Sequence, residues 1–216
     1  MRDSGILALR LTLGGYLAVH GAQKLLGHFD GPGLENAAVA FEHMGLKPGK
    51  PFAALASTSE LAGGLLTATG LAYPVGPVAI AGSMAVAIAV HAENGAMGQK
   101  GGYELPLTDL VAALALAVTG PGRYSLDRLL RVRMPRGLVG LTVLGAAALS
   151  GYSASKVIGH RQTAAARPDP SSAGQAEPAP AEQPEQPEQP EEPQQPEQPH
   201  PTQQPEQAEQ ATDPAR

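Results

Sequence analysis

Three histidine- and acid-bearing stretches of this chain sit where such residues are costly. The run "AVHGAQKLLG" (residues 18–27) puts His20, Gln23 and Lys24 at the end of a long apolar segment. "STSELAGG" (57–64) carries Glu60 into a second, and "VHAENG" (90–95) closes a third with His91 and Glu93. Glu104 and Asp109 open a fourth. An ionisable group inside a bilayer costs about 2.5–3.5 kcal/mol on insertion scales, so it normally faces other helices and has a partner. Imidazole, carboxylate and ammonium together can hold and move protons or grip an oxygen-bearing ligand. The candidate ligand-binding set is therefore His20, Gln23, Lys24, Glu60, His91, Glu104 and Asp109. Lys24 is expected to pair with Glu60 or Glu104, and His20 and His91 to bridge carboxylates. Two lone histidines are thin grounds for haem ligation, and haem is not expected.

The elements that must position these groups are five apolar segments, about Gly5–Gly27, Pro51–Ala72, Val75–Asn94, Tyr103–Gly120 and Gly137–Val157. Each approaches the roughly 20 residues that a helix needs to cross a bilayer core, the fourth being the shortest. They are apolar all round rather than on one stripe, which argues against the helices of a soluble bundle. Gly and Ala are frequent within them, as small residues must be where helices approach closely in lipid. The turns "YPVGP" and "GPG" punctuate them. A short helix is expected around Leu34–Met44. Arg10 interrupts the first segment and no cleavage site follows it, so this segment reads as a retained helix rather than a signal peptide. Arg10 itself is expected to snorkel to the nearer membrane surface.

A depth count places the polar groups together. At about 1.5 Å per residue, His20 lies roughly 10 Å in from Gly27, and Glu60 roughly 13 Å in from Pro51. Helices of alternating direction thus bring their ionisable groups to one half of the membrane, as a polar pocket open to one side.

The charge is split. Residues 1–160 hold 12 Lys/Arg against 9 Asp/Glu, a net of +3, whereas residues 161–216 hold 3 against 11, a net of −8. The latter also hold 13 of the 21 prolines, in a repeat such as "EQPEQPEQPEEP". Such a segment has nothing to bury and is expected to be a disordered tail. The loop "RYSLDRLLRVRMPR" carries Arg123, Arg128, Arg131, Arg133 and Arg136. Arg-rich short loops stay cytoplasmic. This predicts a multi-pass plasma-membrane protein with a cytoplasmic N-terminus, and with its tail outside if the fifth segment spans. The chain has no Cys and no Trp. Thiol redox chemistry and Cys-held clusters are excluded, and no nucleic-acid partner is expected.

The motifs "HGAQKLLG", "GPGLE", "SELAGGLLTATGL", "VHAENG", "GGYEL" and "GPGRYSLD", in this order over about residues 5–132, resemble the DoxX family of small membrane proteins. The resemblance implies an all-α, integral membrane four-helix bundle over residues 1–132. A fifth transmembrane helix (133–160) and the disordered tail (161–216) would be additions to it. It also implies that His20, Gln23, Lys24, Glu60, His91 and Glu104 occupy the family's polar motif positions. Asp109 is an extra acid with no clear role in the family, and "AMGQKGG" lacks the aromatic residues expected there. The family's namesake is a membrane subunit of a thiosulfate:quinone oxidoreductase. The resemblance therefore points to a membrane subunit, or a quinone-like small-molecule binder, of a redox or oxidative-stress system with a redox partner subunit. The alternatives are a non-enzymatic scaffold or assembly factor and, with no internal repeat in view, a small-solute transporter. Enzymatic activity and oligomeric state stay open.

Overall fold

The computed structural model describes residues 2–166. Among these there is no strand; the elements are helices α1 (Arg2–Leu26), α2 (Gly33–His43), α3 (Gly49–Thr69), α4 (Val75–His91), α5 (Glu104–Thr119), α6 (Leu126–Leu130) and α7 (Arg136–Ala165). Two short 3₁₀ turns, Ala92–Asn94 and Gly98–Lys100, lie between α4 and α5. The expected tail beyond residue 166 falls outside the described residues. Residues 161–165, counted with the tail on sequence grounds, belong to α7.

Proline and glycine set the helix ends. Pro51, Pro77 and Pro106 each occupy the third position of α3, α4 and α5. The first four N–H groups of a helix have no partner within it, so a proline there forfeits nothing. Gly70 stops α3 in the left-handed conformation (φ 66°), with its N–H bonded to the Leu66 and Thr67 carbonyls. A side chain at that φ would be strained, and here it would also collide with Arg10.

Helix α1 packs along α3, α3 against α4 and α4 against α5, with α5 also touching α1. Leu13 and Leu17 of α1, Ile80, Ala81 and Met84 of α4, and Ala113 and Leu116 of α5 form the main apolar core. The α1–α3 crossing is closer than side chains would permit. A Cβ on Gly21 would stand 2.3 Å from Leu61 N, and one on Gly64 2.5 Å from Ala18 N. Gly14, Ala18 and Gly21 meet Ser57, Gly64 and Ala68 at backbone distance. That is the small-residue packing expected where lipid supplies no hydrophobic drive between helices. Helix α2, anticipated around Leu34–Met44, lies on α3 through Ala37, Ala38 and Ala53, and Gly49 N–H donates to Glu42 Oε1 at 2.9 Å.

Helix α1, the run Val75–Asn94 and helix α7 are long and apolar enough to cross a membrane. The other two segments taken as spans, α3 and α5, are 21 and 16 residues long and do not reach the same measure of length and apolarity. Helix α7 lies against α4, with Ser150 Oγ donating to the Gly82 carbonyl at 2.8 Å. At its far end Arg161 donates to the Val90 carbonyl at 2.6 Å and pairs with Glu93 at 3.0 Å.

Candidate functional site

The α1–α3 crossing fixes the centre of the site. Gly21 lets the two backbones touch, and Lys24, one turn further along α1, then reaches Glu60 on α3. Lys24 Nζ lies 2.7 Å from Glu60 Oε1 and 2.6 Å from Oε2. Glu60 is 3% exposed. Ser83 of α4 donates a further hydrogen bond to Glu60 Oε1 at 3.2 Å. Three helices are thus tied at one buried carboxylate. Of the two pairings open on sequence grounds for Lys24, the structure shows the one with Glu60.

Asp109 on α5 is buried and lies within electrostatic reach of both His20 and Glu60. It makes no hydrogen bond or ion pair among the described residues. His20 stacks on Tyr16, ring centroids 5.9 Å apart, and its Nδ1 stands 3.3 Å from Gln23 Oε1. An amide oxygen only accepts, so this contact puts the imidazole proton on Nδ1 and leaves Nε2 able to take another. The Gln23 amide group is oriented in turn by donation to the Phe29 carbonyl at 3.2 Å. His20, Gln23, Lys24, Glu60 and Asp109, with Ser83 added, therefore form one neighbourhood drawn from α1, α3, α4 and α5.

His91 and Glu104 do other work. His91, the last residue of α4, donates from Nδ1 to the Gly101 carbonyl at 2.9 Å, beside Asn94, which donates to the same oxygen at 3.1 Å. Glu104, exposed at the start of α5, accepts from Gly98 N–H at 2.9 Å. Together they tie down the loop between α4 and α5. No hydrogen bond or ion pair joins them to the Lys24–Glu60 centre among the described residues. Among the described residues neither His20 nor His91 bridges a carboxylate by hydrogen bond.

The opposite end of the helices holds a feature that sequence reasoning missed. Arg10 does not snorkel. It is 1% exposed, and its guanidinium donates to four backbone carbonyls: Thr67 (2.9 Å) and Ala68 (2.8 Å) at the end of α3, and Pro121 and Tyr124 (2.9 Å) beyond α5. A planar fork with five donors suits such a cage, and a lysine could not fill it. Asp127 works beside it. Its two carboxylate oxygens accept from Ala72 N–H and Tyr73 N–H, each at 2.8 Å, while its own N–H donates to the Gly70 carbonyl at 3.1 Å. These contacts stitch the α3–α4 turn to the segment after α5. Burial pushes the Tyr73 phenol in that turn up to about 12, against the opposing pulls of the Gly120 backbone and Arg10. The signal available in sequence was the stretch "GPGRYSLD", whose Asp127 and carbonyls supply this end.

Among the described residues no cluster of three or more His, Asp or Glu is placed to hold a metal ion. No curated protein and no solved structure matches the chain. Residues 5–92 match the DoxX family model, a stretch that runs from α1 to the turn after α4 and holds His20, Gln23, Lys24, Glu60, Ser83 and His91. Residues 5–92 are thus DoxX-like, in a chain that has helices long and apolar enough to cross a membrane.

Proposed function

We propose that the protein is a membrane component of a redox or oxidative-stress system, and that it binds a quinone-like small molecule at the Lys24–Glu60 centre. The observation that carries this reading is the carboxylate of Glu60, buried between helices and held by an ammonium from α1 and a hydroxyl from α4. Such a centre, with an imidazole and an unpartnered acid in reach, suits a ligand that gains and loses protons with its electrons. His20 Nε2 and Asp109 would exchange the protons. Lys24 has three donors and Glu60 engages at most two, so the third can meet a ligand oxygen. Electrons would come from a partner subunit, since the chain carries no thiol.

The architecture that goes with this reading is a four-helix DoxX bundle of α1, α3, α4 and α5 in a plasma membrane, with α7 as a fifth span. The arginines after α5 favour a cytoplasmic position for that loop and for the N-terminus. The polar centre then lies toward the external side.

The test is purification of the full chain in mild detergent, followed by mass spectrometry of the extracted small molecules. A quinone recovered in proportion to protein, and lost from a folded Glu60→Gln variant, supports the reading. An extract holding phospholipid alone overturns it. A scaffold role is favoured by one observation, the engagement of both Glu60 oxygens by Lys24. It would show as a parent extract without quinone together with a His20→Ala chain that fails to accumulate.

A further inference from the structure

A cavity of about 280 Å³ lies between α3, α4 and α7, roofed by α2 and the loop after it. It exists because α7 rests on α4 and hardly touches α3. Its walls are apolar with a few hydroxyls, and no charged side chain lines it. Phe41 and Phe52, two of the three phenylalanines in the chain, are among the lining residues. Ser83 opens onto it, and the same hydroxyl donates to Glu60 Oε1. Ser150 and Thr142 are satisfied by the Gly82 and Leu138 carbonyls. Ser59 and Ser153 line the cavity with no hydrogen bond among the described residues.

The void is not imposed by crowding. Gly145 of α7 lines it, and a Cβ there would meet nothing within 4 Å. A larger side chain would fit and would restore the dispersion contacts that an empty space forfeits. A cavity kept open by small residues, carrying unbonded hydroxyls and flanked by aromatic rings, has the make-up of a ligand site rather than of a packing gap.

We propose that this cavity binds a neutral, lipid-soluble ring compound bearing carbonyl or hydroxyl oxygens, and that Ser83 couples its oxygen to Glu60. The coupling rests on the function proposed above; the cavity itself does not. Helix α7 lies outside the residues that match the family, while the α3 and α4 walls lie within them. The absence of charge selects against phospholipid headgroups and anions. The ring is held by Phe41 and Phe52. Ser59 and Ser153 can donate to its oxygens, whereas Ser83, whose proton is given to Glu60, accepts from a ligand hydroxyl.

The chain has no Trp, so a Phe52→Trp variant of the full-length protein gives a single reporter in the wall. The probe is a decyl-substituted benzoquinone in detergent, read by fluorescence quenching, with decylbenzene as the oxygen-free control. Saturable quenching is expected, with affinity falling at least about tenfold when Gly145→Phe fills the cavity. Ser153→Ala is expected to weaken binding about three- to tenfold, as the loss of one neutral hydrogen bond does. Decylbenzene is expected to compete poorly. Ser59→Leu, from the facing wall, serves as a second filling variant. Quenching that does not saturate, or that both filling variants leave unchanged while remaining monodisperse, overturns the proposal. If a quinone still co-purifies in that case, the proposed function stands and the cavity is excluded as its site. Cavity binding that survives in a Glu60→Gln protein supports the site while removing Glu60 from the ligand's chemistry.

Discussion

The α1–α3 crossing makes a prediction in which one substitution has opposite outcomes at two places on one helix. A Cβ on Gly21 would lie 2.3 Å from Leu61 N, 2.7 Å from Ser57 O and 2.8 Å from Leu61 Cα. Ordinary contact needs about 3.5 Å or more, so Gly21→Ala forces α1 and α3 apart by roughly 1 Å. The obstacles are backbone atoms inside a helix and cannot step aside. Overpacking of this kind costs about 1–3 kcal/mol. The same shift lengthens the Lys24–Glu60 contact one turn away, now 2.6–2.7 Å, and weakens the centre. Gly15 lies on the other side of α1, and a Cβ there meets nothing within 4 Å. Gly15→Ala should therefore stabilise by the usual helix preference, about 0.5–1 kcal/mol. Thermal unfolding of the two variants in one detergent, followed by helical circular dichroism, reads the difference directly. Gly21→Ala should unfold at lower temperature than the parent and Gly15→Ala at equal or higher temperature. If the two variants shift together, α1 and α3 are not in backbone contact and the geometry described for the centre is wrong.

Four further outcomes are expected. Lys24→Met or Glu60→Gln alone should destabilise by about 3–5 kcal/mol, as breaking a buried pair does, and the double variant should cost less than the sum; a cycle of unfolding free energies measures the coupling. Arg10→Lys should be nearly as damaging as Arg10→Leu, because an ammonium with three donors cannot serve four carbonyls at once; yield and melting temperature in detergent would show a clear gap between the two if the cage matters little. Asp127→Asn should cost about 1–2 kcal/mol, since one carbonyl oxygen can still accept from the Ala72–Tyr73 turn, while Asp127→Ala loses both bonds and should cost more. The Tyr73 phenol, raised to about 12, should ionise later than an ordinary tyrosine near 10. The unfolded chain then releases this proton first, so the contribution to stability is complete below about pH 10 and is lost as pH rises toward 12. Ultraviolet difference titration of the parent against Tyr73→Phe should show the late-ionising phenol missing only from the variant.

Much of the helix pattern could be read from the sequence because it depends on local chemistry. Runs of Ala, Leu and Gly bounded by Pro and Gly foretold α1 through α5, and even the short α2. The Lys24–Glu60 pair was one of two pairings left open by a count of depth along each helix. That count gives height and nothing else. It cannot say that α4 ends at His91, that α5 begins at Glu104, or that both residues turn toward the loop joining those helices. Ser83 carried no warning, because a serine among small residues looks like any packing position. Arg10 was misread for a related reason. Its partners are carbonyl oxygens 57 to 114 residues away, and a carbonyl leaves no mark in a sequence.

Arg10 and Lys24 are 14 positions apart on one helix, about 21 Å along its axis. Near Lys24 the helix is tied by side chains to α3 and, through Glu60, to Ser83 of α4, while at Arg10 it is tied to main-chain oxygens of α3 and of the segment after α5. Helix α1 is thus clamped at two heights, and any slip of its register along α3 must break both clamps at once.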